Sequence, residues 1–116
     1  MPPPKDTIRL KHMLDYAGEA VDLIKGKTRA DLDSDRLLGL ALVRLMEIIG
    51  EAARRVSPEC QLQHPSIPWA QIISLRNRLI HGYDSVDMDI LWEILTRDLP
   101  ILIQNLEKIL STEPPG

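Results

Sequence analysis

Apolar residues recur at three- and four-residue spacing along most of the chain, and no stretch shows the strict alternation of a β-strand. Within residues 5–24 the apolar positions form one stripe, which predicts an amphipathic helix with a single buried face. The members of this stripe are Leu10, Met13, Leu14, Ala17, Val21 and Ile24. Gly26 is expected to end this helix, and the polar turn KTRADLDSD follows it.

A second helix is predicted to begin near Asp33 or Ser34, either of which can cap a helix N-terminus, and to reach about Val56. Leucine and isoleucine cover more than one of its faces, so it is expected to be central or to bury a second face against another subunit. Gly39 and Gly50 would let a neighbouring helix approach closely. A polar line of ion pairs or solvated side chains is predicted along it, formed by Arg44, Glu47, Glu51 and Arg55.

Residues 57–67 are predicted to form a loop, and residues 68–81 a third helix that begins at Pro68. Gly82 is expected to cap this helix in a left-handed conformation. Asp84, Ser85 and Asp87 are candidate N-caps for a fourth helix that runs to about Leu110. Its inward face is predicted to comprise Leu91, Ile94, Leu95, Leu99, Leu102, Leu106 and Ile109.

Pro100 lies inside the fourth helix, so a kink is expected between Thr96 and Pro100, because proline lacks a backbone N–H and clashes with the preceding turn. Four amphipathic helices with short connections predict an all-α, antiparallel up-and-down four-helix bundle. The length of 116 residues fits a single domain over residues 1–116.

The composition, with 44% hydrophobic residues and no phenylalanine, favours aliphatic helix packing over an aromatic-rich β-sandwich. A nucleic-acid-binding domain is usually basic, whereas this chain has a net charge of −3, so contact with RNA would require a local basic patch. The single cysteine, Cys60, fits a reducing compartment. The N-terminal MPPPKDTIRL has no apolar signal core, and a cytoplasmic protein without membrane association is expected.

The segment RNRLIHGYD, from Arg76 to Asp84, concentrates polar chemistry in this Leu/Ile-rich chain. Arg76 and His81 would lie about 140° apart around a straight helix. Gly82 is expected to let His81 leave the helical register and approach Arg76, while the helix C-terminus favours a protonated imidazole. A titratable histidine beside guanidinium groups suits phosphodiester chemistry, because one group moves protons and the others stabilise an anionic phosphorus centre.

A structural interpretation of the same segment is also open, because cations stabilise helix C-termini without any chemistry. The remaining histidines are scattered, and Cys60 with His64 provides too few ligands for zinc, so neither a metal nor a cofactor is predicted. Trp69 and Trp92 are expected to fill the core or an interface rather than to stack on bases.

RNRLIHGY resembles the Arg-x4-His-x-Tyr signature of HEPN-domain proteins, specifically of the HepT-like toxin family. Arg76, His81 and Tyr83 stand at the signature positions, and Asn77 is the polar residue that usually follows the arginine in that family. LLGLALVRLMEIIGEAARRVS is similar to the second helix of that family, including its IGEA turn. IPWAQIISLRNRLIHGYDSVDMDILWEILTRDLPILIQNLE is similar to its motif helix, loop and last helix. The resemblance extends from about Ile8 to Leu110.

The resemblance implies a homodimeric HEPN-like bundle in which two Arg/His sets meet in one cleft. It implies metal-independent cleavage of RNA, either tRNA or mRNA, by a toxin of a toxin–antitoxin system. It further implies a minimal nucleotidyltransferase antitoxin as partner, which can transfer AMP to the motif tyrosine, here Tyr83. Added phosphates would fill the anion site beside the Arg/His cluster and block RNA.

On this hypothesis Arg76 binds the scissile phosphate, and His81 serves as acid or base for attack by the ribose 2′-OH. Asn77 orients the phosphate or the imidazole, and Arg78 steers the RNA. Glu51 is a candidate accessory residue that pairs with Arg76 or tunes His81, although a solvated or ion-paired Glu51 is the simpler expectation.

Two other functions remain open from the sequence. The chain could be a helical adaptor that docks on a nucleotidyltransferase and binds RNA or nucleotide without cutting. The acidic net charge leaves this alternative open, because it weakens the case for avid RNA binding. It could also be a purely structural bundle, which predicts no exposed Arg/His cleft.

Overall fold

A computed structural model describes residues 2–82 and 85–111 of the chain. Within them lie eight α-helices and one π-helical turn, and the only extended pairing is an isolated antiparallel bridge between Ile80 and Val86. The α-helices are α1 (Pro4–Leu23), α2 (Arg29–Ser34), α3 (Arg36–Arg54), α4 (Pro58–Gln63), α5 (Trp69–Ile73), α6 (Leu75–Leu79), α7 (Met88–Glu93) and α8 (Leu99–Ser111). The all-α prediction is confirmed, while the up-and-down order of a four-helix bundle stays a prediction.

The core forms where α1 packs along α3 and α8. The predicted stripe of α1 is buried at Leu10, Met13 and Ala17, and it meets Leu42 and Met46 of α3 in the same cluster. Every residue predicted for the inward face of the last helix is also buried. Burial of one such aliphatic side chain stabilises the fold by about 1.5–3 kcal/mol, so the long helices are held mainly by this cluster.

Two segments predicted as turn or loop contain short helices, because local capping groups stabilise them. Asp31 accepts a hydrogen bond from the Thr28 N–H at 2.6 Å at the start of α2, and this bond lowers the pKa of Asp31. Asp35, rather than Asp33 or Ser34, caps α3 by accepting a hydrogen bond from the Leu38 N–H at 3.1 Å. The predicted start of the second helix, near Asp33 or Ser34, was therefore wrong by one or two residues.

The start of α4, inside the predicted loop 57–67, depends on a contact from a distant part of the chain. Ser57 accepts a hydrogen bond from the Cys60 N–H at 3.2 Å and so caps α4. The buried carboxylate of Asp6 in turn accepts hydrogen bonds from the Ser57 N–H at 2.8 Å and its hydroxyl at 2.7 Å. This link between α1 and α4 fixes the loop as a helix, and no local sequence pattern reveals it.

The predicted third helix is divided at Ser74 into α5 and α6, and it ends at Leu79 rather than at His81. The Ser74 hydroxyl donates a hydrogen bond to the Ala70 carbonyl at 2.8 Å, which competes with the backbone pattern at the break. The segment before the break also lies close to α3, because a Cβ at Gly50 would lie 3.0 Å from the Ile72 carbonyl oxygen. The prediction that Gly50 permits a close helix contact is confirmed.

The last helical run departs from α-helical geometry where proline predicted it. Residues Ile94–Asp98 form a π-helical turn, and the Leu99 N–H donates to the Ile94 carbonyl five residues back. Pro100 follows directly, and its missing N–H is the physical reason for a local break in the α-helical pattern. Among the described residues no helix combines the length and apolar content that crossing a bilayer requires.

Candidate functional site

Arg76 and Asn77 lie on the exposed face of α6, beside an open cavity of about 560 Å³ between α3 and the α5–α6 segment, here called the motif cavity. The close contact at Gly50 brings the two walls together. The polar part of the lining comprises Arg44, Glu47, Glu51, Arg54, Ser74, Arg76 and Asn77. A cavity with several guanidinium groups and two carboxylates can bind an anion once the carboxylates yield their partners.

The polar line of α3 supplies the carboxylates of this cavity, and its ion pairs are confirmed. Glu51 pairs with Arg54 at 2.6 Å and Arg55 at 3.2 Å, and these hydrogen bonds lower the pKa of Glu51. The acidic group that meets Arg76 is Glu47, at 3.7 Å from the Arg76 Nε. The suggested pairing of Glu51 with Arg76 is thus replaced by pairs within α3, because Arg54 and Arg55 lie one helical turn away.

His81 lies two residues beyond Leu79, the last residue of α6. The backbone N–H of His81 donates to the Ser85 carbonyl at 2.8 Å, and the backbone N–H of Asp87 donates to the Leu79 carbonyl at 2.8 Å. Gly82 has a φ of 89°, which turns the chain, although it does not cap the helix. These backbone bonds hold Ser85 and Asp87 beside His81 and Leu79, and the His81 side chain is exposed.

Asp87 is a functional candidate that the sequence revealed only as a helix cap. One carboxylate oxygen accepts a hydrogen bond from the Ile90 N–H at 3.0 Å and so caps α7. The other lies 3.5 Å from the His81 Nε2. Asp87 therefore connects the motif histidine to the start of the next helix, and leaves Nδ1 of the imidazole for other contacts.

Arg78 faces another part of the surface. It lies 3.5 Å from Asp98 of the π-helical turn, and both line a separate cavity of about 110 Å³. Of the predicted site residues, the motif cavity thus gathers Arg76, Asn77 and Glu51, whereas His81 contacts Asp87 instead of lining it. Tyr83 and Asp84 lie outside the described residues. Within the described ranges, no group of three or more His, Cys, Asp or Glu side chains is arranged to hold a metal ion.

The chain is similar to known proteins along most of its length. The family model described as ribonuclease HepT-like matches residues 13–109. A protein of Thermococcus cleftensis named "Probable ribonuclease HepT" is 36% identical over 103 residues, which cover 85% of this chain and 94% of that protein. Two proteins are each named "Putative RNase". That of Caldanaerobacter subterraneus subsp. tengcongensis is 35% identical over 104 residues, covering 90% of this chain and 93% of its own length.

The third relative, from Methanocaldococcus jannaschii, is 31% identical over 98 residues, covering 84% of this chain and 90% of that protein. No solved structure gives a significant match to the chain. The extent of the family match and the identities to these relatives show that the chain belongs to the ribonuclease HepT-like family.

Proposed function

We propose that this chain is an endoribonuclease toxin whose chemistry is carried by Arg76 and His81. The observation that carries the proposal is the exposure of Arg76, Asn77 and His81: Arg76 and Asn77 open into a cavity, and Asp87 lies 3.5 Å from the surface imidazole of His81. The side chains of Arg76 and His81 are both accessible to a polyanion, unlike those of a buried structural cluster. The RNase names of the relatives support the same activity.

In the proposed reaction His81 takes the proton from a ribose 2′-OH, and the 2′-oxygen attacks the adjacent phosphorus. The bond from phosphorus to the 5′-oxygen breaks, and that oxygen takes up a proton from the imidazolium or from water. The products are a 2′,3′-cyclic phosphate and a 5′-hydroxyl. Arg76 stabilises the negative charge that develops on the phosphorane oxygens, and Asn77 orients the phosphate. No metal takes part in this scheme.

The acidic partners of the two residues have different roles in this scheme. Glu47 pairs with Arg76 near the surface at 3.7 Å, and such pairs contribute only ~0–1 kcal/mol, so a phosphate displaces Glu47 readily. Asp87 is a positioning residue, because its contact at 3.5 Å fixes the orientation of the His81 ring. Arg78 and Glu51 keep accessory roles in RNA binding, Arg78 from a neighbouring surface and Glu51 through Arg54 and Arg55.

A homodimer is part of the proposal, because His81 and the motif cavity of one chain do not by themselves form a single pocket. The exposed apolar side chains of α3, Leu37 at 78% and Leu40 at 52%, are a surface that a second copy would bury. A minimal nucleotidyltransferase antitoxin, AMP transfer to Tyr83, and action on tRNA or mRNA in the cytoplasm complete the proposed role.

The test is incubation of purified protein with total cellular RNA. Wild type is expected to fragment the RNA, and Arg76→Ala and His81→Ala are expected not to. His64→Ala is the matched control, since His64 also follows a short helix but lies in another part of the fold. Intact RNA with wild type, or fragmentation by a folded His81→Ala, would contradict the proposal.

A second candidate is a non-catalytic adaptor of a nucleotidyltransferase complex. Each motif cation already has an acidic neighbour: Glu47 for Arg76, Asp98 for Arg78 and Asp87 for His81. If these pairs serve only to order the loop, wild type and His81→Ala will bind RNA or nucleotide equally and neither will cut. Equal binding without cleavage thus distinguishes the adaptor from the enzyme.

A further inference from the structure

A second cavity lies against the same face of α3, on the side that faces α1. It has a volume of about 260 Å³ and is here called the α1 cavity. Arg9 and His12 of α1 form one wall, and Arg55 lies on the opposite wall. Arg44, Glu47 and Glu51 line both this cavity and the motif cavity, so the two are continuous across the polar line of α3.

Positive charge is concentrated along this continuous surface. The two cavities are lined by five arginines, namely Arg9, Arg44, Arg54, Arg55 and Arg76, and by two glutamates, Glu47 and Glu51. Their formal net charge is therefore +3, which leaves −6 for the rest of a chain whose total is −3. A basic surface on an otherwise acidic protein is the local patch that contact with RNA requires.

Arg9 is the arginine of this surface that forms no ion pair with a carboxylate in the described part of the chain. Arg44, Arg54, Arg55 and Arg76 each pair with Glu47 or Glu51, whereas no carboxylate pairs with Arg9 among the described residues. A half-buried arginine that lines a cavity and forms no ion pair within the described ranges can bind an anionic ligand, although Glu47 and Glu51 line the same cavity. His12 lies one helical turn further along α1, with its ring centroid 6.3 Å from that of Tyr16.

We propose that the α1 cavity is a phosphate subsite, in which Arg9, with His12 and Arg55, binds the backbone of single-stranded RNA next to the cleaved phosphate. The inference rests on the proposed ribonuclease function and adds the path of the substrate to it. A strand whose scissile phosphate meets Arg76 continues over the polar line of α3 to Arg9. A flexible single strand can follow two cavities on either side of the polar line, which a stiff duplex does less readily.

The subsite predicts a specific salt dependence of RNA binding. Binding of a fluorescent single-stranded RNA is measured at several salt concentrations in a His81→Ala background, so that the RNA stays intact. Each phosphate contact to a single strand makes the slope of log K against log salt more negative by about 0.7. Arg9→Gln is therefore expected to make the slope less steep by about 0.7. Affinity is expected to fall by roughly tenfold at low salt.

Two matched variants make the measurement specific. Arg9→Lys keeps the charge and is expected to keep the slope. Arg36→Gln removes another arginine without a carboxylate partner among the described residues, but Arg36 lines a different cavity with Leu40 and Met88, so its slope should equal that of the parent. Thermal unfolding and light scattering are recorded for each variant.

The outcomes separate the subsite from the nuclease. If Arg9→Gln and Arg36→Gln bind like the parent, or if Arg9→Gln changes the oligomeric state instead of the slope, the subsite is refuted. If the parent binds no RNA, the subsite is refuted, and the cleavage assay with wild type decides the nuclease separately. If Arg9→Gln makes the slope less steep while wild type cuts no RNA, the subsite is supported and the nuclease alone is wrong.

Discussion

The core region, comprising α1, α3 and α8, differs from the motif region, comprising α5 to α7 and the described residues between them. The core helices are 20, 19 and 13 residues long, whereas those of the motif region have five or six residues. Packing between aliphatic side chains holds the three core helices together. The motif-region helices also bury apolar side chains such as Leu75 and Leu79 in the core, and single contacts, such as Gly50 against Ile72 and Asp87 against His81, add to this burial.

This difference indicates that stability and chemistry are separable in the molecule. A buried leucine of the core contributes apolar contact but no group that reaches the surface. An exposed motif side chain contributes chemistry but little burial, and surface substitutions usually change stability by less than ~0.5 kcal/mol. Substitutions in the two regions should therefore have opposite consequences, and a few contacts should link them.

The largest expected effect comes from the motif region. His81→Ala should lower the rate of RNA cleavage by about 10²- to 10⁴-fold, because it removes the general acid or base. Its thermal unfolding transition should match that of wild type, since the imidazole is exposed. Single-turnover kinetics and calorimetry measure the two quantities, and a large loss of stability would show that the regions are not separable.

The opposite result is expected from the core region. Leu42→Ala removes a fully buried side chain and should lower the free energy of unfolding by about 2–5 kcal/mol. The cleavage rate per folded molecule should stay close to that of wild type. Urea unfolding combined with activity at low denaturant checks both values; a specific loss of rate in fully folded protein would contradict the comparison.

Gly50 links the two regions, so its substitution should affect both properties. The new Cβ of Gly50→Ala would lie 3.0 Å from the Ile72 carbonyl oxygen, and α5 must move away from α3. We expect a loss of about 1–3 kcal/mol in unfolding free energy, together with slower cleavage as Arg76 moves with the α5–α6 segment.

The matched control for this substitution is Gly18→Ala in α1, where a Cβ meets nothing within 4 Å. It should be neutral or stabilise the protein by about 0.5–1 kcal/mol, because alanine is the better helix former. If Gly50→Ala behaved like Gly18→Ala in both assays, the close contact would have no role in placing the motif.

The smallest expected effect tests the contact between Asp87 and His81. Asp87→Asn keeps a good N-cap for α7 but removes the carboxylate charge 3.5 Å from the imidazole. It should lower kcat by roughly tenfold and leave KM and thermal unfolding unchanged. Asp35→Asn alters an equivalent cap, which accepts the Leu38 N–H at 3.1 Å, and should change none of these values. Equal kcat for the two variants would reduce Asp87 to a helix cap.

The sequence predicted the core region more fully than the motif region, for a physical reason. A stripe such as Leu10, Met13 and Ala17 is a local pattern, and it is sufficient to predict a helix and its buried face. The close contact of Gly50 with α5, and the hydrogen bonds of Asp6 to Ser57 at the start of α4, each join segments that are distant in the sequence. Contacts between remote segments leave no periodicity in the sequence.

The candidate site shows the same limit. Arg76 and His81 were found because they lie within one short motif. The sequence did not predict that Glu47 meets Arg76, that Asp87 meets His81 or that Arg9 lines a cavity against α3. Each contact requires two elements to be placed side by side. The spacing of Arg44, Glu47, Glu51 and Arg55 did predict the polar line, and only the structure placed a cavity on each of its sides.

The most direct test of the central claim uses two oligonucleotides of one sequence, one of plain RNA and one 2′-O-methylated at every ribose. Wild-type protein in excess chelator is incubated with each, and the product ends are identified by mass spectrometry. We predict that the RNA is cut to 2′,3′-cyclic phosphate and 5′-hydroxyl ends, whereas the methylated strand is bound and stays intact. Cleavage of the methylated strand, or 5′-phosphate ends from RNA, would contradict attack by the 2′-OH at Arg76 and His81.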